Sequence, residues 1–211
     1  MNNLPGWIGN NGLWGTELYQ KNKRENFEIL DAYLNTAPKR ILDIGCGLAW
    51  ESRWFNEKYG SELWLLDGDV SDNADKLDSA ASGSYHTTPD EFLFYHSLET
   101  LDQELKQLNT KNYKLVDCNN INIPEDVKFD LITSWVSCGF HYPVNTYRDL
   151  ILKHSTPDTK IIMDLRVIYK KTGQPEKEEG VEVLNVISKR NKYIMADLKL
   201  LRSDQSINEG K

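Results

Sequence analysis

The run Arg40-Ile41-Leu42-Asp43-Ile44-Gly45-Cys46-Gly47 constrains the fold of this chain more than any other stretch. It reads as a short apolar strand with an acid near its end, followed by two glycines one residue apart. Glycines so spaced let the backbone pass close to a bound ligand, where a side chain would collide with it. A second apolar run, Leu63-Trp64-Leu65-Leu66, ends at Asp67. A glycine turn after one strand and a carboxylate after the next is the arrangement of a nucleoside site in a parallel α/β sheet.

Two ligand classes use that plan. A dinucleotide site needs a third glycine where the turn enters the helix, and that position is Trp50 here. An indole there obstructs helix packing and the approach of a pyrophosphate. The order Asp43-x-Gly45-x-Gly47-x-Ala49 instead resembles the first motif of class I S-adenosylmethionine-dependent methyltransferases, which have an acid before the glycines and Gly or Ala at the last position. The bland alternative is an ordinary strand-turn-helix that binds nothing.

At 211 residues the chain is long enough for one α/β domain with a full core and short for two. We therefore expect one domain over residues 1–211: an N-terminal arm and helix (1–38), a Rossmann-like core (39–202) and a tail (203–211). The formal charge of −7 and pI near 5.2 argue against a partner that presents a phosphate backbone. Cys46, Cys118 and Cys138 form no C-x-x-C pair and have no metal-ligand spacing, so they read as reduced residues of a cytoplasmic protein. The N-terminus lacks the pattern of a secretory signal, and no apolar run is long enough to insert in a membrane. Oligomeric state is not legible.

Apolar periodicity and turn residues give the element order. Thr16 caps a helix from Glu17 to about Asn35. Strands follow at Arg40–Ile44, Glu62–Leu66, Tyr113–Val116, Phe129–Ser134 and Lys160–Leu165. Helices run from about Ala49 to Tyr59, from Thr88 or Asp90, continuous or with one break, to Leu108, and from Val144 to His154. Val70 to Asp90 is a polar connection of the length that often carries function. Val181–Ser188 and Tyr193–Leu200 alternate in polarity and read as a terminal hairpin. The expected fold is α/β: a mostly parallel, doubly wound sheet with helices on both faces and a C-terminal antiparallel hairpin. That is also the fold the resemblance implies, although the segment before the hairpin is short for the usual helix.

Ligands of such sheets sit beyond the carboxyl ends of the strands. The first strand presents Asp43, Gly45 and Gly47. By the resemblance, Asp43 lies near the amino acid end of the cofactor and the glycines pass its methionine part and ribose. The second strand presents Asp67, apt to accept from a cis-diol, with Gly68 leaving room beside it; Asp67 also suits a plain turn. Asp117 and Cys118 end the third strand, where the resemblance implies an acid on the adenine amino group and a following backbone N–H on a ring nitrogen. Ser134 and Trp135 begin the loop after the fourth strand and belong to the same cofactor set.

That loop, Ser134 to Pro143, is the candidate for substrate chemistry. His141 sits between aromatics, where an imidazole can take the proton of an acceptor hydroxyl; packing of His141 and Tyr142 in the pocket floor is the competing reading. The Asp/Asn-Pro-Pro-aromatic motif of nucleic-acid amino methyltransferases is absent, which with the charge disfavours nucleic acid. No acid follows the fourth strand and no Asp-Asn pair follows the fifth, so no metal is expected. Arg166 faces an anionic substrate or pairs with Asp164. Trp7, Trp14 and Tyr19 form a lid or cover a sheet edge, and His86 and His96 are spare bases. The Gly-Phe-His-Tyr-Pro loop and Leu-Asp-Gly-Asp turn also resemble small stand-alone methyltransferases associated with sugars and surface polysaccharides, phage-borne ones among them.

Together these imply methyl transfer from S-adenosylmethionine, with S-adenosylhomocysteine as product, to a hydroxyl of a small polar acceptor such as a sugar or nucleotide-sugar. The rivals are a catalytically silent adenosyl-ligand-binding or partner-binding protein, an RNA or protein methyltransferase, and an NAD-dependent oxidoreductase that Trp50 disfavours.

Overall fold

The computed structural model describes residues 17–73, 94–167 and 177–201. Trp7, Trp14, the Thr16 cap, His86, most of the polar connection, the segment before the hairpin and the tail lie outside them.

Helix α1 (Glu17–Tyr33) leads into β1 (Arg40–Ile44), α2 (Trp50–Tyr59) and β2 (Glu62–Asp67). After a 3-10 turn at Val70–Asn73 come α3 (Leu98–Gln107), β3 (Tyr113–Asp117), β4 (Leu131–Ser134) and β5 (Ser137–Tyr142). A 3-10 turn at Val144–Tyr147 runs into α4 (Arg148–His154), and β6 (Lys160–Arg166), β7 (Val181–Lys189) and β8 (Tyr193–Leu200) complete the chain. Seven strands form one sheet in the order β3-β2-β1-β4-β6-β8-β7. Its first five members are parallel, whereas β8 runs antiparallel to both β6 and β7.

The strands at the centre are buried on both faces, which is why their sequences are almost wholly apolar. Ile41, Leu63, Leu65, Leu131, Ile162 and Met195 face Phe27 and Leu30 of α1, Phe55 of α2, and Leu101 and Leu105 of α3. Leu42, Ile44, Leu66, Ile132 and Met163 face the other way, toward Phe129, Tyr142, Val144 and Ile151. Helices therefore cover both faces, as the alternation of strand and helix implies.

The hairpin pairs as expected, but its second strand takes the interior position. The run Ile194 to Leu198 in β8 is buried, whereas β7 leaves Val183, Leu184 and Val186 partly in solvent. Burial thus favours β8 beside β6 and β7 at the edge.

Helix α2 ends on Gly60 at φ 71, whose N–H donates to the Asn56 carbonyl at 2.8 Å. A β-carbon added there meets nothing within 4 Å, so only backbone conformation opposes it. Gly60→Ala is expected to cost about 1–2 kcal/mol in urea unfolding, the left-handed penalty of an L-residue. An unchanged midpoint would contradict the left-handed cap.

Three elements differ from their sequence reading. Helix α3 begins at Leu98 behind the Ser97 cap, which accepts the Thr100 N–H at 3.0 Å; residues 94–97 are not helical. Phe94 packs on Gly68 instead, its ring within 2.3–2.5 Å of where a β-carbon of that glycine would lie. The helix expected from Val144 starts as a 3-10 turn, whose first amides, Val144 and Asn145, donate to the Glu178 carboxylate at 2.9 and 3.0 Å. Ser137 to Tyr142, read as loop, is strand β5.

Candidate active site

Four amides of the glycine turn are held by the protein's own acceptors. Gly45 and Cys46 both donate to the Leu66 carbonyl, at 2.7 and 3.2 Å, and Ala49 donates to the Cys46 carbonyl at 2.8 Å. Gly47 donates to Asp67 Oδ2 at 2.7 Å. Gly45, Gly47 and Ala49 take the left-handed conformation, with φ of 66, 54 and 51°. A pyrophosphate needs such amides for itself. Here the amides of Gly45, Cys46, Gly47 and Ala49 are taken, and the carboxylate of Asp67 closes on the turn, which favours an uncharged or cationic group over a phosphate.

Gly45 serves a further purpose that sequence reasoning assigned to a ligand alone. A β-carbon there would lie 1.9 Å from Ser137 Oγ and 3.1 Å from the Tyr142 hydroxyl. These two groups are 2.9 Å apart and bring β5 onto the turn. Gly45 thus permits close approach of the protein's own strand.

Asp67 ends β2 opposite Asp117 of β3 in the sheet register. Its Oδ1 accepts the Gly68 N–H at 2.8 Å. Each carboxylate oxygen retains capacity for a further donor, as a diol requires. Burial raises the pKa of Asp67, and His96 and the two amides oppose that rise. The Cys46 Sγ lies 3.9 Å from Oδ2, and burial together with Asp67 pushes that thiol well above its usual range.

Asp117 Oδ1 accepts the Asn119 N–H at 2.8 Å. The Cys118 N–H donates to the Asp67 carbonyl at 2.9 Å, so this amide extends the ladder and does not point at a ligand. The Cys118 thiol interacts with the Tyr147 hydroxyl and adds to the rise in its pKa. Tyr147 packs edge-on against Tyr142, with centroids 6.1 Å apart, and burial raises the pKa of both hydroxyls. Tyr95, Tyr142 and Tyr147 all interact electrostatically with Asp67. These tyrosines, Ser137 and His96 were absent from the sequence-based cofactor set. Tyr142 and Ser137 carried a signal as members of the candidate loop, and His96 one as a spare base, but none was tied to the cofactor.

Ser134 and Trp135 hold the architecture together. The Ser134 hydroxyl donates to the Ile44 carbonyl at 2.7 Å and accepts the Cys138 N–H at 2.8 Å, linking β1 to β5. Trp135 is buried on the face of α1 and α2. The next residue, Val136, is left-handed at φ 52. A β-branched residue there is a genuine outlier, of the kind that collects at functional sites. Its N–H donates to Asp164 Oδ2 at 3.1 Å. His141 is half-buried on β5, edge-on to Phe140 at 4.9 Å. The Arg166 guanidinium lies 5.3 Å above the Phe140 ring, and Asp164 turns to Val136.

Asp43 and Asp164 are fully buried beneath α1 and α2, and each has one oxygen, Oδ1, without a hydrogen-bond partner. Ser52 donates to Asp43 Oδ2 at 2.6 Å. Burial, opposed by Ser52 and reinforced by Glu51, pushes Asp43 up to about 7. Burial likewise lifts Asp164 to about 8, against the pull of Lys23. Lys23 itself pairs with Glu51 at 2.9 Å. Asp43 thus lies at the turn, but its hydrogen-bonded oxygen faces α2.

No protein-family model matches the sequence, and no curated protein matches it. Solved structures do share its fold. A methyltransferase from Pyrococcus furiosus is 14% identical, with 85% of this chain and 83% of that one aligned at a TM-score of 0.52. A variant of MtNAS in complex with S-adenosylmethionine is 12% identical, over 90% of this chain and 65% of that one, at 0.55. The plantazolicin methyltransferase BpumL, in complex with S-adenosylhomocysteine and a plantazolicin analogue, is 15% identical over 76% and 56%, at 0.50. The chain spans little more than half the length of several such proteins. The strand order and reversed β8 are those of the class I methyltransferase fold.

Proposed function

We propose that this chain transfers the methyl group of S-adenosylmethionine to a hydroxyl of a small polar acceptor, a sugar or nucleotide-sugar. The observation that carries the reading is the glycine turn itself: its amides are spent on Leu66, Cys46 and Asp67, and two acids, Asp43 and Asp67, stand beside it. Two carboxylates beside four occupied amides favour a positively charged nucleoside over a pyrophosphate. Fold neighbours solved with S-adenosylmethionine or S-adenosylhomocysteine support the same cofactor.

When bound, the cofactor supplies an electrophilic methyl group on a positively charged sulfur. Asp67 accepts from the ribose diol, and Asp117, its register neighbour, accepts from the adenine amino group. Tyr142, Tyr147 and Cys118 wall the site and exclude water. His141 takes the proton of the acceptor hydroxyl, making its oxygen the nucleophile. The remaining work is alignment of two reactants in a dry pocket, which needs no metal. Among the described residues no helix is long and apolar enough to cross a membrane. The three cysteines are free, in keeping with a cytoplasmic enzyme. BpumL, with the same fold, is a plantazolicin methyltransferase, so the acceptor has to be established by assay.

The test is calorimetric titration with S-adenosylmethionine, S-adenosylhomocysteine and NAD, followed by an acceptor screen that begins with sugars. Micromolar binding of both adenosyl ligands is expected. A folded protein that binds neither would refute the assignment. His141→Ala is expected to lower kcat about 100-fold, the usual share of a general base, with S-adenosylhomocysteine affinity within about a factor of two of wild type. Full activity in that variant would make His141 a packing residue.

A further inference from the structure

His96 is nearly buried, and its segment is fastened to the end of β2 from three sides. The Phe94 ring lies on Gly68, the Val70 N–H donates to the His96 carbonyl at 3.1 Å, and the Leu98 N–H donates to Asp69 Oδ2 at 3.0 Å. The Nδ1 of His96 lies 3.2 Å from the Ser97 carbonyl. A carbonyl only accepts, so Nδ1 carries a hydrogen and Nε2 is the ring nitrogen turned to the site. Nε2 stands 3.9 Å from Asp67 Oδ2, the oxygen that also holds the Gly47 amide.

That separation is too long for one hydrogen bond and suits a hydroxyl between the two atoms. An oxygen about 2.8 Å from each, an ordinary hydrogen-bond length, spans it with an angle near 90° at the hydroxyl (roughly 88° by the triangle). Resting on the adenosyl-cofactor reading above, we propose that His96 is a second ligand of the ribose, its Nε2 and Asp67 Oδ2 sharing one hydroxyl of the diol. The hydroxyl has a single proton, which it donates to Asp67. Nε2 must then donate to the hydroxyl oxygen, so the bound imidazole carries a proton on each nitrogen. The bound state therefore holds the imidazole doubly protonated, so affinity is expected to fall as pH rises.

The groups facing His96 do not reproduce that dependence. Asp69, on the turn after β2, is held below the usual carboxylate range: its hydrogen bonds with Ser71 and Leu98 and its attraction to His96 outweigh the opposing effect of burial. Tyr95 beside it and Cys46 behind Asp67 are raised by burial, away from the range of an imidazole. Asp67 itself acts with the opposite sign, because its protonation toward acid pH removes an acceptor. Asp43 also titrates near this range, at the amino acid end of the cofactor. A ligand without that end, 5′-methylthioadenosine, separates it from the ribose.

The experiment is calorimetry of the wild-type chain and His96→Gln with S-adenosylhomocysteine, 5′-methylthioadenosine and the 2′-deoxy and 3′-deoxy forms of the latter, from about pH 5.5 to 8. In wild type, 5′-methylthioadenosine should bind roughly ten-fold more weakly at the alkaline end, as expected for one charge-assisted hydrogen bond. His96→Gln should be roughly ten-fold weaker at the acid end and should no longer weaken as pH rises. One of the two deoxy analogues should lose the pH dependence on the wild-type protein itself, which keeps the test decisive even if the variant does not fold. Equal affinity and slope in folded His96→Gln, or the same slope for all three thioadenosines, would overturn the role of His96 and leave the cofactor assignment standing. Absence of S-adenosylhomocysteine binding by folded wild type would remove the cofactor assignment and this role together.

Discussion

Asp67→Ala is expected to weaken S-adenosylhomocysteine at least about 100-fold while the fold survives. A carboxylate that accepts two hydroxyls contributes two charge-assisted hydrogen bonds, each of roughly 1.5–3 kcal/mol. The same side chain holds the Gly47 and Gly68 amides, at 2.7 and 2.8 Å, so its removal also loosens the turn on which the nucleoside rests. Stability should change much less. Two amides lose an acceptor, but the cost of burying the carboxylate, which raises its pKa, is relieved. Calorimetry reads the affinity, and circular dichroism confirms the fold. Binding within a few-fold of wild type would place the ribose elsewhere and undo the reading of β2.

The limits of the sequence follow from which contacts are local. β1 has the boundaries its apolar run announces, β3 begins where expected and runs one residue further to Asp117, and Gly60 stops α2 as its conformational freedom predicts. The spacing of Asp43, Gly45 and Gly47 against Asp67 was enough to mark the strand ends that face one another. β5 was not legible, because what extends it is remote. Ser134 bridges it to Ile44, 90 residues away, and Asp164 holds Val136 from 28 residues away. The same applies to His96, whose place beside Asp67 depends on how residues 94–98 return to the end of β2. A motif lists what a strand end offers. It does not say what a distant segment lays over it, and here that segment adds an imidazole while β5 adds the Ser137–Tyr142 pair.

The buried pair Asp43 and Asp164 should make the protein less stable as pH rises from about 4 to 8. Both carboxyls titrate far above an unfolded aspartate, at about 7 and about 8. Between the unfolded and folded values the native state holds more protons than the unfolded chain, so unfolding free energy falls with pH. Both groups act in this direction, and their shared neighbours Lys23 and Glu51 couple the two titrations, so the fall is one broad slope and not two steps. Carboxylates with lowered values, such as Asp69 and Glu62, act oppositely and lose their contribution only as pH falls below about 4. Maximum stability is therefore expected near pH 4. Asp164→Asn keeps an acceptor for the Val136 amide and removes the titrating proton. It should flatten the profile and raise stability at pH 8, and Asp43→Asn should do the same in part. Urea unfolding of the three proteins across this range decides it. A wild-type profile that rises toward pH 8 would mean that Lys23 keeps both carboxylates ionised, and that the polar row beneath α1 and α2 is a charge network.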